Sequence, residues 1–403
     1  MKKVFTMALC ALAVCSASAQ KANVDQAKKM TGDIAKVAEA RQLINQAMTN
    51  PETQNDPQTY FVAGNIEYGA YDKAFLKKSI NPDDKDVNDL NMAEQIINGY
   101  KNMVKVLPLD QLPDAKGKVK PKYTKNALKQ INDHFNDLWA AGSTFFTNKK
   151  YPEAYEAFTI FGTLPRTDMA DKTIAAQPDS VLGQAFFWAG ASASYANNHK
   201  DAAAAFKKAR LSGNATSDVF HNEISSLTAA MQQDSTFIEE GKKEILELSH
   251  AGLEKFGISD PLFVINIVNT LMDDNKADEA INLVNGLESK YGNTAMLLSL
   301  KGFVFDRMGK DDESVAAYKD AVAREDADFD VLKRAALKLL TVGSEKFDAL
   351  QVGDKEGRLK ITNEYFIPAK EAAAKAKSLN PTDNVNNTIV DRIDYLFEQY
   401  LNN

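Results

Sequence analysis

Between residues 244 and 325 the apolar positions fall four and three apart, and one short arrangement is written three times. The stretch opening Glu244-Ile245-Leu246-Glu247-Leu248 and closing Lys255-Phe256-Gly257 returns 35 residues on, opening Glu279-Ala280-Ile281-Asn282-Leu283 and closing Lys290-Tyr291-Gly292. A further 34 residues past Ala280, Ser314 opens Ser314-Val315-Ala316-Ala317-Tyr318-Lys319-Asp320-Ala321. Steps of three and four put the apolar side chains on one face of a helix. A period of about 34 built from two helices describes a unit that buries its apolar face only against its neighbours.

The same periodicity predicts helices elsewhere. Ile34 to Met48 carries Ala40, Ile44 and Ala47 on one stripe, with Pro51 just past its end. Ala74 stands 34 residues after Ala40, preceded by the apolar and aromatic run Tyr60 to Tyr71, and is read with it as a first pair of units. Leu90 to Leu107 is a further helix. From Leu107 to Tyr123 the pattern stops at Pro108, Pro113, Gly117 and Pro121, so a loop and a soft boundary are expected there. Helices resume at Asn126. Gly142, Gly190 and Gly302 each precede a small residue (Ala154, Ala202, Ser314) by 12 positions, and an aromatic (Phe158, Phe206, Tyr318) follows that residue by four. Two helices approach closely only where small residues face each other, and an aromatic one turn on fills the gap. Helices are also predicted over Asp330 to Leu350, Ile361 to Leu379 and Asn386 to Leu401; the last has one apolar and one charged face, as a terminal cap requires.

This set of positions resembles the tetratricopeptide repeat, closely around Ala154, Ala202, Ala280 and Ser314 and more weakly around Ala40, Ala74 and Ile245. Val268 stands where that pattern has Gly and Lys301 where it has Leu, and steps of 48 and 43 residues separate Ala154, Ala202 and Ile245. The resemblance implies an all-α fold, a right-handed α-α superhelix of antiparallel helix pairs. The chain then divides into a leader (1–19), N-terminal units (20–106), a Pro- and Lys-rich loop (107–122), a main array (123–330) and C-terminal helices with a cap (331–403).

Composition narrows the setting. Lys2 and Lys3, the apolar run Val4 to Val14, and Ala17-Ser18-Ala19 before Gln20 read as a cleaved secretory signal, which places the mature chain in a bacterial periplasm or envelope. Leu12-Ala13-Val14-Cys15 offers a rival, because it resembles a lipoprotein box in which Cys15 would be acylated, although Val14 is bulkier than that box prefers. Both cysteines, Cys10 and Cys15, fall in the leader, so a chain starting at Gln20 has neither a disulfide nor a thiol nucleophile. A net charge of −7 argues against nucleic acid. No later apolar run is long enough for a transmembrane helix.

Chemistry is sought and not found. His134, His199, His221 and His250 have no metal spacing. Gly190-Ala191-Ser192-Ala193-Ser194 imitates a nucleophile elbow, but in mid-helix. Asp84 to Asp89 imitates a calcium loop without its Gly or closing carboxylate. No catalytic residue, metal site or cofactor is expected.

What remains is a surface. In the family resembled, the first helix of each unit lines the concave side. Carried over, the facing positions are Asn136, Trp139, Ser143 and Phe146; Gln184, Phe187, Ser194 and Tyr195; Ile265, Asn269 and Met272; and Ser299, Phe303, Asp306 and Arg307. Aromatics beside amides and hydroxyls suit capture of an extended peptide or a helix. A second reading stays open, in which Trp139, Phe146 and Phe187 are buried between helices. The expected function is a non-enzymatic scaffold for protein interaction. The alternative is an outer-surface protein that captures oligosaccharide or peptide, anchored through Cys15.

Overall fold

The structure, a computed structural model, describes residues 20–114, 116–351 and 353–400; the leader with Cys10 and Cys15 lies outside them. Among the described residues there is no strand. The helices are α1 (20–29), α2 (Val37–Thr49), α3 (Pro57–Ile80), α4 (Asp89–Leu109), α5 (Thr124–Asp133), α6 (Phe135–Thr147), α7 (Tyr151–Thr163), α8 (Lys172–Ala175), α9 (Asp179–Tyr195), α10 (His199–Leu211) and α11 (Ser217–Gln233). They continue as α12 (Ile238–Phe256), α13 (Pro261–Asp273), α14 (Ala277–Tyr291), α15 (Ala295–Arg307), α16 (Asp311–Val322), α17 (Phe329–Asp348), α18 (Lys355–Ile361), α19 (Ile367–Leu379) and α20 (Asn384–Tyr400). The chain groups into two compact units that divide between Phe237 and Ile238.

In the first unit α3 packs on α4, α6 on α7 and α9 on α10, and each second helix meets the first helix of the next pair, α4 against α6 and α7 against α9. The spacing read from sequence is the contact that holds the pairs together. A Cβ added at Gly142 or Gly190 would lie 2.8 Å from the ring of Phe158 or Phe206. Ala154 and Ala202 are fully buried beside these contacts. Each ring, buried over a bare backbone, contributes about 1.5–3 kcal/mol. Gly162 repeats the device between pairs, 2.8 Å from Phe186.

The turn within four of the pairs, α6/α7, α9/α10, α13/α14 and α15/α16, is equally uniform. Lys149, Asn197, Asn275 and Gly309 stand at the same place, five residues before the small residue, with φ of 59, 61, 60 and 70°. The next N–H then reaches back to the helix, Lys150 to the Phe145 carbonyl, Asn198 to Ala193, Lys276 to Leu271 and Lys310 to Phe305, at 2.8–2.9 Å. This left-handed stop satisfies carbonyls that a helix end would otherwise leave bare. In these four pairs the second helix therefore starts from the same backbone turn.

Ala74 starts no second helix. The stretch from Pro57 to Ile80 is a single helix: Gly69 stands five residues before Ala74, where the other pairs turn, yet no residue in the stretch has a positive φ and the backbone ladder runs through. Its partner is α4, and here the small-against-large contact runs both ways, Gly99 against Tyr68 and Gly64 against Met103. The loop after α4 is tied shut. The buried Asp110 carboxylate accepts from the Lys122, Tyr123 and Thr124 N–H groups and the Thr124 hydroxyl at 2.8–3.0 Å. Burial alone would raise its pKa, but these four donors outweigh it and hold the carboxyl below the ordinary range.

In the second unit the pairs are α13 with α14, α15 with α16 and α17 with α19. A Cβ at Gly302 would lie 2.9 Å from Tyr318, and the Ser314 hydroxyl donates to the Gly302 carbonyl at 2.8 Å. Between α13 and α14 the Gly and aromatic places are taken by Val268 and Val284, both fully buried in one cluster. Two medium side chains fill the space of one absent and one large. From Lys355 to Leu379 the backbone is helical but passes through one wide π turn at Thr362–Phe366. Pro368 follows it and cannot donate to the Glu364 carbonyl, so the widened turn resolves the clash. α20 packs on α19 and α17 through Ile389 and Ile393.

Candidate binding surfaces

In the first unit the predicted first-helix residues lie on α6 and α9. Asn136 is exposed and Tyr195 is 64% exposed, whereas Trp139, Phe146 and Phe187 are half-buried. Trp139 sets its edge on Phe158 and Phe161, both at 5.4 Å, so part of it is packing inside its own pair. Phe187 likewise leans on Phe206 and Trp188 at 5.7 Å. Phe146 is the hub of an aromatic group that spans two pairs, with Trp188 at 5.3 Å, Tyr195 at 5.6 Å and Tyr151 at 5.6 Å. Tyr151 and Tyr195 are stacked at 5.1 Å.

Trp188 has no place among the positions carried over from the resemblance, yet it joins the two helices. A signal for it exists in the sequence. Trp139 and Phe146 are seven residues apart, as are Trp188 and Tyr195, and a step of seven returns to the same helix face.

Beside this group, α3, α4 and α6 enclose a cavity of about 290 Å³. Tyr71, Phe75, Met92, Ala93, Ile96, Ala140 and Asp137 are among its walls. At its end the Tyr71 hydroxyl donates to Asp137 Oδ1 at 2.7 Å, and His134 Nδ1 meets Asp137 Oδ2 at 2.9 Å. His134 is buried, stacked on Tyr68 at 4.0 Å, with its other nitrogen 3.9 Å from Asp72. Burial first, then the bond to Asp137 and the charges of Asp137 and Asp72, push the Tyr71 phenol far up, so it remains a donor. Burial and the neighbouring Asp137 and Asp133 charges raise Asp72, against the pull of His134 and Lys73.

In the second unit Asn269, Phe303 and Asp306 come together from α13 and α15. They line a cavity of about 370 Å³ with Tyr318, Arg334, Leu337, Lys338 and Thr341. Lys338 bridges Asp306 and Asp311, and Arg307 lies 3.6 Å from Asp273. Burial pushes the Tyr318 phenol up to about 12, so it too stays neutral. Met272 departs from expectation. It is buried with Val264, Val268 and Val284 and offers no surface. Met272 lies four residues after Val268 on α13 and so shares the helix face that this valine buries.

Ser192, within the elbow-like stretch, is fully buried in α9 with its hydroxyl on the Trp188 carbonyl at 2.7 Å. Among the described residues no three His, Cys, Asp or Glu side chains converge as a metal-binding group. No described helix is long and apolar enough to cross a membrane.

No protein-family model matches the chain, and no curated protein does. Solved structures do. A TPR repeats protein from Bacteroides fragilis is 14% identical, over 65% of this chain and 98% of its own, with a TM-score of 0.32. Yeast Tom70 is 14% identical over 94% and 88%, at 0.32. The TPR domain of P58(IPK) is 12% identical over 95% and 99%, at 0.29. Likenesses with TM-scores this low carry no argument by themselves. The tetratricopeptide-like, all-α character of this chain rests on its own glycine contacts and repeated turns.

Proposed function

We propose that this chain is a non-catalytic scaffold that holds a segment of another protein on the first-helix faces of its pairs. We further propose that it works after export, in the periplasm or envelope of a bacterium. The observation that supports the scaffold reading most is the aromatic group of Phe146, Tyr151, Trp188 and Tyr195. It spans two helix pairs and leaves Tyr195 largely in solvent. Large, stiff aromatic side chains contribute binding energy at little cost in entropy, and they dominate protein interfaces for that reason. The uniform turns supply the other requirement, because a preformed surface spends no binding energy on ordering itself. The leader pattern before Gln20 supports export.

Two measurements test this. Replacing Tyr195 and Phe146 with Ala should weaken partner capture from crosslinked envelope fractions by about tenfold or more with helicity unchanged. Loss of helicity would assign both to the core instead. The intact mass of the native protein should begin at Gln20. A lipid-modified chain beginning at Cys15, retained on glycan and free of protein partners, would favour the surface-capture reading.

A further inference from the structure

The cavity between α3, α4 and α6 has a chemistry distinct from the aromatic group. Its sides are apolar, formed by Phe75, Met92, Ala93, Ile96 and Ala140, and its end holds the Asp137 carboxylate. Asp137 accepts from Tyr71 and His134, and no Lys or Arg among the described residues is ion-paired with it. Asp72, 3.9 Å from the other His134 nitrogen and with Lys73 acting on it as well, is a second carboxylate near this end. At the rim, Lys78 and Asp89 neutralise each other. The local charge inside the rim is thus negative, and a carboxylate with two donors keeps lone pairs for a third.

We infer that this cavity receives the side chain of a lysine or arginine from the partner segment, its alkyl stem between Phe75 and Ile96 and its cation on Asp137 and the Tyr71 oxygen. Charge complementarity identifies the occupant. An apolar side chain would leave Asp137 without a cation, and an acidic one would meet like charge. The apolar walls match the stem, because long basic side chains bury their methylenes while the charged head finds its partner. About 290 Å³ is ample for one such side chain. Phe75, half exposed at the wall, adds a ring face to the approaching cation. This inference rests on the scaffold reading and adds the class of residue recognised.

The test uses the full chain and a synthetic library of 12-residue peptides in which one position is Lys, Arg, acetyl-lysine, Leu or Glu. Peptides with Lys or Arg should be retained preferentially. Acetylation should weaken them by about tenfold, and so should Asp137→Asn, since a partly buried charge pair is lost. Added salt should weaken the basic peptides more than the Leu peptides. Because Asp137 also bonds Tyr71 and His134, a second variant guards against misfolding. Ala140→Phe blocks the cavity from an exposed position and should abolish the preference with helicity intact. Peptides bound equally well whether lysine or acetyl-lysine, still sensitive to Tyr195→Ala, would overturn the cation pocket and leave the scaffold. Failure of every peptide to bind would overturn both.

Discussion

A single missing methyl group decides how closely these helices approach. Gly142→Ala, Gly190→Ala and Gly302→Ala each place a Cβ 2.8–2.9 Å from a ring. They are predicted to destabilise the protein by about 1–3 kcal/mol in urea unfolding. Gly286 is the internal control, since it is exposed in α14 with nothing within 4 Å of a Cβ. Gly286→Ala should stabilise by about 0.5–1 kcal/mol through helix propensity. If all four variants behaved alike, the close contacts would not be what sets the pairing. The shared turn gives a second prediction. Lys149 has φ of 59°, where its Cβ crowds the following carbonyl oxygen, whereas the short polar side chain of Asn197 suits that region. Lys149→Gly should therefore raise stability more than Asn197→Gly, by up to about 1 kcal/mol; equal effects would argue against strain at Lys149. At this scale the glycine–aromatic contacts were legible, because a fixed spacing of 16 residues writes them directly. Met272 was not, because Val268, four residues before it, is buried where the pattern has Gly, and the two share one helix face. Trp188 stands outside the facing positions of the repeat pattern, and its step of seven to Tyr195 is the signal in the sequence that places it on the same face.

Elements were legible where apolar residues recur every three or four positions, and less so where one helix is longer than the pattern's unit. α3 is the example. Its repeat-like Ala74 lies in a helix of 24 residues that pairs with α4 through Tyr68 and Gly99. Between α17 and α20 the widened turn before Pro368 shows another limit, because sequence gives the proline but not how the backbone absorbs it. The loop after α4 carries the clearest prediction for an element. Asp110 is held below its ordinary pKa in the folded chain, so it contributes stability that is present above the unfolded value of about 3.9 and lost as pH falls through the folded one. Asp110→Ala should cost about 1.5–3 kcal/mol near pH 7, in line with hydrogen bonds to a charged group. The gap from the parent should close below about pH 4. A gap that stayed constant with pH would mean the carboxylate is not what ties the loop.

At the scale of the whole chain, the division between Phe237 and Ile238 falls inside a stretch that sequence reads as one array. Sequence registers helix pairs by their spacing, whereas a compact unit is defined by which pairs share a core. The core joining α3, α4, α6, α7 and α9 is complete within the first unit. Residues 20–237 expressed alone are therefore predicted to unfold cooperatively with native-like helicity; a broad, non-cooperative melt would show that this unit depends on the rest of the chain. The central claim is recognition of a protein segment on the α6 and α9 faces. It is tested most directly by placing a photo-crosslinking amino acid at Asn136 or Tyr195, illuminating the native host and identifying the adduct by mass spectrometry. The account predicts one discrete protein adduct, mapped to a single segment and diminished by Phe146→Ala. Adducts with glycan alone, or none from either position while an exposed residue of α14 crosslinks efficiently, would contradict it.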